Sequence, residues 1–400
     1  MQSNNEQKGA ALTRISQLQH QRKMRRLRKI ALAAVLALAV AIYVTGVWRQ
    51  AFSAVEDMAE SIRIAMTPDA GWPAKTGIPD ILQAEPLAGG FAELGKEDLA
   101  VYSAGGNHLR SIQHGYARPA MSVGNHRFCL YNRSGTELRI ESRTRTLYTK
   151  SFQQPIVLAQ MSPNGSVAVV TGGKLGTAEL TVLDPSMKFR YSWKSENEGL
   201  PSVISFADDN HRLAVACLGA HNGMLQSNIY LLDTHSDQVT AKITANGSHV
   251  LQMHWLTSEK LLVIYNSLAI VYEAATGREM AVFSFEGQPL ASASVCGQNT
   301  ALLFSRPLAD TPARLLVLDS NMQILASTQV AAPAERAVLT RTTAYVLRKS
   351  SVAAYTMAGE FMWEKQLEAP PIAVLAAKQP LVLYGGQAAV LKEPTQADET

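Results

Sequence analysis

The chain has 400 residues, a formal net charge of +4 and hydrophobic residues at 47% of its positions, enough to bury a sizeable core. Of the 37 basic and 33 acidic residues, nine basic and one acidic lie within residues 1–49, which leaves 28 basic and 32 acidic residues after them. The larger part of the chain is therefore mildly acidic. It lacks the basic surface that nucleic acid binding requires, so no nucleic acid partner is expected.

An uncharged apolar run extends from Ile30 to Trp48. As a helix, these 19 residues would be about 28 Å long, close to the hydrocarbon thickness of a bilayer. We predict one transmembrane helix over residues 30–48 that begins at Ile30 and places Tyr43 and Trp48 in the outer interface. A cleaved signal peptide is the alternative, although its apolar region is usually only about 7–15 residues long.

A dense basic cluster precedes this apolar run and indicates its orientation. The cluster consists of Arg22, Lys23, Arg25, Arg26, Arg28 and Lys29. Because positively charged flanks stay in the cytoplasm, residues 1–29 are predicted to form a cytoplasmic arm. The predicted localisation is a single-pass protein of the cytoplasmic membrane, with its N-terminus inside and everything after Arg49 outside.

Residues 49–90 are predicted to form a helical stem and a linker. Apolar residues recur at helical spacing from Phe52 to Met66, with charged residues between them. Pro68 then ends the helix, because proline cannot continue the backbone hydrogen bonding.

From residue 91 to 392 the pattern is that of an all-β fold. Short runs rich in Val, Leu, Ile and Tyr alternate with turns rich in Gly, Asn, Asp and Ser. A hairpin whose first strand often ends in an acidic residue, as at Asp184, Asp233 and Asp319, recurs at spacings of about 40–50 residues. This period predicts a β-propeller, best fitted by seven four-stranded blades. An irregular eighth blade from Ile81 to Tyr102 is the alternative.

Six whole blades are predicted, and they start near Ala117, Gln154, Leu200, His249, Gln288 and Glu335. The strands from Pro371 to Lys392 and those from Leu99 to His114 would share one further blade. Sharing a blade between the two ends of the chain closes the ring and removes exposed sheet edges. Residues 393–400 have no apolar periodicity and are predicted to be a disordered tail.

Three runs of this sequence resemble a known family. They are Ser111-Ile-Gln-His-Gly-Tyr-Ala-Arg-Pro, the segment from Leu138 to Lys150, and Met161-Ser-Pro-Asn-Gly-Ser-Val-Ala-Val-Val-Thr. The family is an uncharacterised one, a domain of unknown function, of single-span propeller proteins from Gram-positive bacteria. The resemblance covers nearly the whole chain and implies a location and a fold, but no activity. The hairpins near Ala274 and Met357 are distantly similar to those of quinoprotein-like and WD-repeat-like propellers, without support for quinone binding.

Three connections between the second and third strands of a blade are predicted to be long, and strand parity places all three on one face. They span residues 171–177, 218–227 and 306–313. Binding residues concentrate on loops held by a rigid scaffold, so this face is the predicted recognition surface. Its candidate residues are Lys174, His221, Asn222, Met224, Arg306 and Asp310. The alternative is that these are tolerated surface insertions.

Catalytic and metal-binding patterns are sparse. None of the nine histidines stands at a metal-ligand spacing, so neither a metal nor a cofactor is expected. His254 lies on a predicted inner strand and could face the central channel, although a structural histidine is the favoured interpretation because no partner residue accompanies it. The first hypothesis is therefore a non-enzymatic, membrane-tethered extracytoplasmic module that binds a protein or a cell-envelope ligand. The alternative is an envelope enzyme, hydrolytic or quinone-dependent, with its site at the channel mouth.

Overall fold

The computed structural model of the protein describes residues 47–394 except 173–176, 196–198, 237, 307–310 and 378, with side chains from residue 55 onwards. The chain divides into two units, Met1–Met58 and Ala59–Thr400. The basic cluster, Ile30 and Tyr43 lie outside the described residues, as does nearly all of the predicted transmembrane segment.

Helix α1 (Val47–Ala65) is the stem predicted from the apolar spacing. Its first two residues, Val47 and Trp48, are also the last two residues of the predicted transmembrane segment. Its C-terminal end is capped by Thr67, whose hydroxyl donates to the carbonyl of Arg63, and Pro68 follows. From residue 47 onwards, the described part of the chain contains no helix that is long and apolar enough to span a bilayer.

Thirty-two strands follow, and within the described residues they form eight antiparallel sheets of four strands each. The first strand is β1 (Ala74–Lys75). Blade 1 comprises β2 (Gln83–Leu87), β3 (Gly90–Leu94), β4 (Asp98–Ser103) and β5 (His108–Gln113). Blade 2 comprises β6 (Pro119–Val123), β7 (Arg127–Asn132), β8 (Glu137–Ser142) and β9 (Thr146–Ser151). Blade 3 comprises β10 (Ile156–Met161), β11 (Val167–Gly172), β12 (Ala178–Leu183) and β13 (Phe189–Ser195).

The remaining blades have the same strand order. Blade 4 comprises β14 (Leu200–Phe206), β15 (Arg212–His221), β16 (Met224–Asp233) and β17 (Val239–Asn246). Blade 5 comprises β18 (Val250–Thr257), β19 (Lys260–Tyr265), β20 (Leu268–Glu273) and β21 (Glu279–Ser284). Blade 6 comprises β22 (Leu290–Cys296), β23 (Asn299–Phe304), β24 (Ala313–Leu318) and β25 (Ile324–Val330). Blade 7 comprises β26 (Ala334–Leu339), β27 (Thr343–Arg348), β28 (Ser351–Thr356) and β29 (Phe361–Gln366), and blade 8 comprises β30 (Ala373–Leu375), β31 (Leu381–Tyr384), β32 (Gln387–Val390) and β1.

The all-β propeller is confirmed, and its described part has eight blades, which was the alternative count, rather than the favoured seven. The two chain ends do share a blade, but the strand that closes it is β1, which pairs with β32. The hairpin from Leu99 to His114 belongs instead to blade 1, and the ring begins at Ala74 rather than at residue 91. A strand of two residues, such as β1, is too short to show an alternating pattern. The inner strand of blade 1, β2, contains Pro86, and proline is uncommon inside sheets, so the sequence did not indicate a strand there.

The core lies between the blades. Each of the eight clusters of buried apolar residues in the described chain combines residues from two adjacent blades. The second strands are covered on both faces, which explains their continuous apolar runs, such as Leu261–Tyr265 in β19. Outer strands such as β17 alternate between exposed and covered positions. Cys129 and Cys217 lie in these buried layers and form no disulfide, and burial raises the pKa of Cys129 to about 12.

Glu93 lies fully buried on β3, on the same face as Phe91, which packs against blade 8. Neither carboxylate oxygen of Glu93 has a hydrogen-bond partner among the described residues. Burial raises the pKa of Glu93 to about 7, and the nearby Thr76 hydroxyl offsets only part of this effect. The closing interface of the ring therefore contains a carboxyl group that prefers its neutral form.

This carboxyl group should make the stability of the protein depend on pH. The folded chain retains a proton that the unfolded chain loses above about pH 4.5, so the free energy of unfolding should fall by up to about 3 kcal/mol as the pH rises to about 7, and then level off. Glu93→Gln removes this dependence, so its stability relative to wild type should increase between pH 5 and pH 8 in chemical denaturation. The exposed Glu97→Gln serves as the control. Parallel pH profiles for wild type and Glu93→Gln would contradict the assignment.

Candidate functional site

The ring has two faces that strand order defines. The turns between first and second strands and between third and fourth strands emerge on one side, which we call the stem face. The connections between second and third strands, and those from one blade to the next, emerge on the other side, which we call the hairpin face. The three connections predicted to form a recognition surface each follow the second strand of a blade, and the described strands that flank them have the corresponding ends on the hairpin face.

The structure describes only part of the predicted recognition surface. Lys174 and Asp310 lie outside the described residues. Arg306 is exposed just after the end of β23. His221, Asn222 and Met224 come together at the tip of the β15–β16 hairpin, where His221 and Met224 are direct cross-strand partners.

The segment from Leu218 to Ser227 differs from the predicted long loop. It is a continuation of β15 and β16, and Asn222 and Gly223 form a two-residue turn with φ values of 51° and 77°. Both residues adopt the left-handed conformation that a type I′ hairpin turn requires, which explains the Asn-Gly pair. The insertion is thus an ordered β-ribbon rather than an irregular loop.

This ribbon extends beyond the rest of blade 4. Strands β15 and β16 have ten residues each, against six or fewer in the equivalent strands of the other blades. The four extra residues correspond to about 13 Å of additional length. Strand β14 pairs with β15 only as far as Leu218, and β17 pairs with β16 only as far as Gln226. The end of the ribbon therefore projects past both neighbouring strands on the hairpin face.

The hairpin face also exposes apolar side chains. At the ribbon tip, Met224 is 61% and Leu225 is 41% exposed. The inner strands of blades 3, 4 and 5 begin on the same face, and each has an exposed apolar residue at its first or second position, namely Val157, Leu200 and Leu251. Inner strands converge around the central channel, so these three consecutive blades present an apolar arc next to the ribbon.

A second set of exposed apolar residues lies where the outer strands β13, β17, β21, β25 and β29 begin, towards the stem face. It includes Phe189, Val239, Met280, Ile324 and Phe361. These positions are spread around the circumference, one blade apart, since outer strands diverge from the centre of the ring. They form a dispersed rim rather than a single patch.

The stem face binds the end of helix α1. The Glu60 carboxylate accepts hydrogen bonds from the hydroxyl of Ser142 at 2.8 Å, the backbone N–H of Thr144 at 3.2 Å and the hydroxyl of Thr144. It also pairs with Nε of Arg143 at 3.3 Å. Burial raises the pKa of Glu60, but these hydrogen bonds and the Arg143 charge outweigh burial and hold the pKa below its usual range.

Arg143 connects the helix to two blades. Its side chain is only 2% exposed and lies in the turn between β8 and β9 of blade 2. It donates to the carbonyl of Ala88, in the turn between β2 and β3 of blade 1, at 2.7 Å, and to the hydroxyl of Ser61 at 2.7 Å. The last turns of α1 are thus fixed on the face opposite the ribbon.

Within the described part of the chain, the inner strands contain one histidine. His254 lies on β18 as predicted, and burial lowers its pKa. Its ring Nε2 is 3.3 Å from Oε1 of Gln252. Among the described residues, one group of at least three histidine, cysteine or acidic side chains lies close enough together to hold a metal ion, and it does not include His254.

That group was missed by the sequence analysis. His211, Asp233 and His235 place their ligand atoms within 4.8 Å of one another on the stem face of blade 4. The separation of 22 residues between His211 and Asp233 matches no local motif; antiparallel pairing of β15 with β16 brings the two together. Burial raises the pKa of Asp233, but the backbone N–H of His235 and the His211 side chain outweigh burial and lower it overall, so this carboxylate is ionised at neutral pH.

The eight blades define the chain as a β-propeller. It belongs to DUF5711, a family of unknown function whose profile matches residues 78–385. The resemblance seen in the sequence is confirmed to this extent, whereas the membrane span and the bacterial group remain predictions. A search of curated proteins gives no match.

Solved propellers share the fold at low identity. BamB from Moraxella catarrhalis is 14% identical with a TM-score of 0.50, covering 77% of this chain and 95% of that one. The computationally designed Ika8 protein is 11% identical with a TM-score of 0.55, covering 80% and 98%. Hsv2 from Kluyveromyces lactis is 10% identical with a TM-score of 0.51, covering 72% and 99%. Identities this low show the fold alone.

Removing the Glu60 carboxylate should release the end of the helix. Glu60→Ala removes the carboxylate that pairs with the buried Arg143 and accepts hydrogen bonds from Ser142 and Thr144, so the free energy of local opening should fall by about 2 kcal/mol. Hydrogen exchange at the Met66 and Thr67 amides, which donate to Ile62 and Ile64, reports this opening. The matched control is Arg63→Ala, exposed on the same helix. Equal exchange rates in the two variants would show that the contact is not stabilising.

Proposed function

We propose that this protein is a non-enzymatic binding module whose hairpin face recognises a protein partner. The observation that carries the proposal is the projecting β15–β16 ribbon with exposed Met224 and Leu225 beside the apolar arc of Val157, Leu200 and Leu251. Exposed apolar residues gathered on one surface are typical of protein interaction sites. A ribbon held by a rigid sheet loses little conformational entropy on binding, which favours affinity.

The location of the stem contact supports the same surface. Glu60 and Arg143 hold the last turns of α1 on the stem face, opposite the ribbon, which supports the hairpin face as the surface for a partner. We propose that the apolar run before α1 tethers the propeller to the cytoplasmic membrane and that the propeller lies outside the cytoplasm. The apolar run, the one-sided basic cluster and the helical stem support this arrangement.

The topology can be tested by protease accessibility on intact cells. Single cysteines placed in residues 1–29 and in the 393–400 tail provide a second measurement with a membrane-impermeant thiol reagent, after Cys296 is replaced by Ser. We expect the tail to be labelled from outside and the N-terminal arm only after lysis. A tail protected in intact cells would overturn the membrane topology while leaving the binding face untouched.

The binding face can be tested by shortening the ribbon without changing its register. Deleting Ala220, His221, Met224 and Leu225 leaves the Asn222-Gly223 turn in place, now joining the cross-strand pair Gly219 and Gln226. The deletion removes no buried residue, so the melting transition should be unchanged. A photo-crosslinking residue placed at Leu200 in native cells should capture a defined partner protein when the ribbon has its full length. The same residue should no longer capture this partner in the variant with the shortened ribbon.

Two point-mutant chains complete this test. Replacing Met224 and Leu225 with Ser keeps the ribbon but removes its apolar surface, and should weaken capture as the deletion does. Replacing Ile324, which is exposed on the outer rim, removes a comparable apolar side chain elsewhere and should have no effect. Undiminished capture by the shortened chain would exclude the ribbon as the main determinant.

A further inference from the structure

Two turns of blade 4 meet on the stem face. His211 ends the turn before β15, Asp233 is the last residue of β16, and His235 follows in the turn before β17. The backbone N–H of Thr234 donates to the carbonyl of His211 at 2.8 Å and holds the two turns together. The rings of His211 and His235 have centroids 4.7 Å apart and are inclined by 36°.

The three side chains place their ligand atoms close together. Oδ1 of Asp233 is 3.1 Å from Nδ1 of His211 and 3.7 Å from Nδ1 of His235. Zinc binds imidazole nitrogen and carboxylate oxygen at about 2.0–2.2 Å, so two ligands of a tetrahedral ion lie roughly 3.4 Å apart. The two distances lie on either side of this value, and all three ligand atoms lie within 4.8 Å of one another, so the side chains are spaced closely enough to hold one ion.

We propose that His211, Asp233 and His235 form a binding site for a divalent transition-metal ion of the Zn²⁺ type. Two imidazole nitrogens and one carboxylate oxygen suit zinc and its neighbours in the first transition row, whereas Mg²⁺ and Ca²⁺ require mainly oxygen ligands. Three protein ligands leave one tetrahedral position open to water. Because His235 is 60% exposed, the site is open to solvent and metal can reach it directly.

The histidines are what distinguish this turn from its equivalents. In blades 3 and 6, Asp184 and Asp319 occupy the position of Asp233 and accept hydrogen bonds from backbone N–H groups two residues further on, as Asp233 does from His235. Those residues are Ser186 and Asn321. The aspartate therefore serves the turn in all three blades, and only blade 4 adds two imidazoles to it.

Asp209 supplies an outer contact. Its Oδ2 is 3.6 Å from Nε2 of His211 and is itself held by Nε of Arg212 at 2.6 Å. A carboxylate beside the second nitrogen of a histidine orients the ring and favours metal binding at the first nitrogen. The ionised Asp209 and Asp233 also give the site the negative charge that attracts a cation.

Arg190 contacts one of the proposed ligands, His235, and this contact should compete with metal binding. Its guanidinium contacts Nε2 of His235, and arginine can only donate, so the proton of His235 lies on Nδ1. Metal binding at Nδ1 moves this proton to Nε2 and displaces Arg190. Removing the guanidinium should therefore strengthen metal binding, an effect opposite to the loss of a contact that merely supports the fold.

Isothermal titration calorimetry of the full chain, prepared without an affinity tag, tests the proposal with ZnCl₂ as the probe. We expect one Zn²⁺ per chain, unaffected by excess Mg²⁺, and visible absorption bands of four-coordinate Co²⁺ on titration with cobalt. His211→Gln and His235→Gln should each weaken binding by about tenfold or more, and Arg190→Gln should tighten it severalfold. His108→Gln, which alters an exposed histidine of blade 1, is the matched control.

Circular dichroism separates loss of metal from loss of fold, and the exposed His235 gives the variant least expected to unfold. Unchanged Zn²⁺ affinity in both histidine variants would overturn the assignment. So would the absence of Zn²⁺ binding from both wild type and Arg190→Gln.

Discussion

The structure depends on one constraint, which is that every sheet must be covered on both faces by its neighbours. The second strand of each blade is buried on both sides, so no blade can end the series without exposing hydrophobic surface. A closed ring satisfies this requirement. Closure here uses only the two residues of β1, and the interface beside it also contains the buried Glu93. The point where the chain ends meet thus combines the shortest strand with a buried carboxyl group.

The same closure divides the functional surfaces. Because adjacent strands are antiparallel, alternate connections separate onto two faces, and the propeller holds each set of connections at fixed positions. Glu60 and Arg143 attach the end of the helical stem to one face. The extended ribbon of blade 4 projects from the other. Strands β15 and β16 carry the proposed partner-binding tip at one end and the proposed metal site at the other, so one hairpin serves both faces of the ring.

Much of the fold could be predicted because each blade repeats the same local pattern of apolar strands and polar turns. The predicted blade starts lie within three residues of the inner strands β6, β10, β14, β18, β22 and β26. The aspartate turns were recognisable for a physical reason, since Asp184 and Asp319 accept backbone hydrogen bonds within their own turns. The blade count and the closing strand were harder, because β1 is too short for periodicity and Pro86 interrupts the first inner strand.

The sequence by itself determined the all-β repeat, the helical stem and the face on which the second-to-third connections emerge, since these follow from residue periodicity and strand parity. Only the tertiary structure decided which groups meet across the repeat. Glu60 and Arg143 are 83 residues apart, and the histidines of blade 4 approach Asp233 only when β15 pairs with β16. Side-chain chemistry between distant segments depends on strand pairing and register, and a one-residue shift in register would move every side chain to the opposite face.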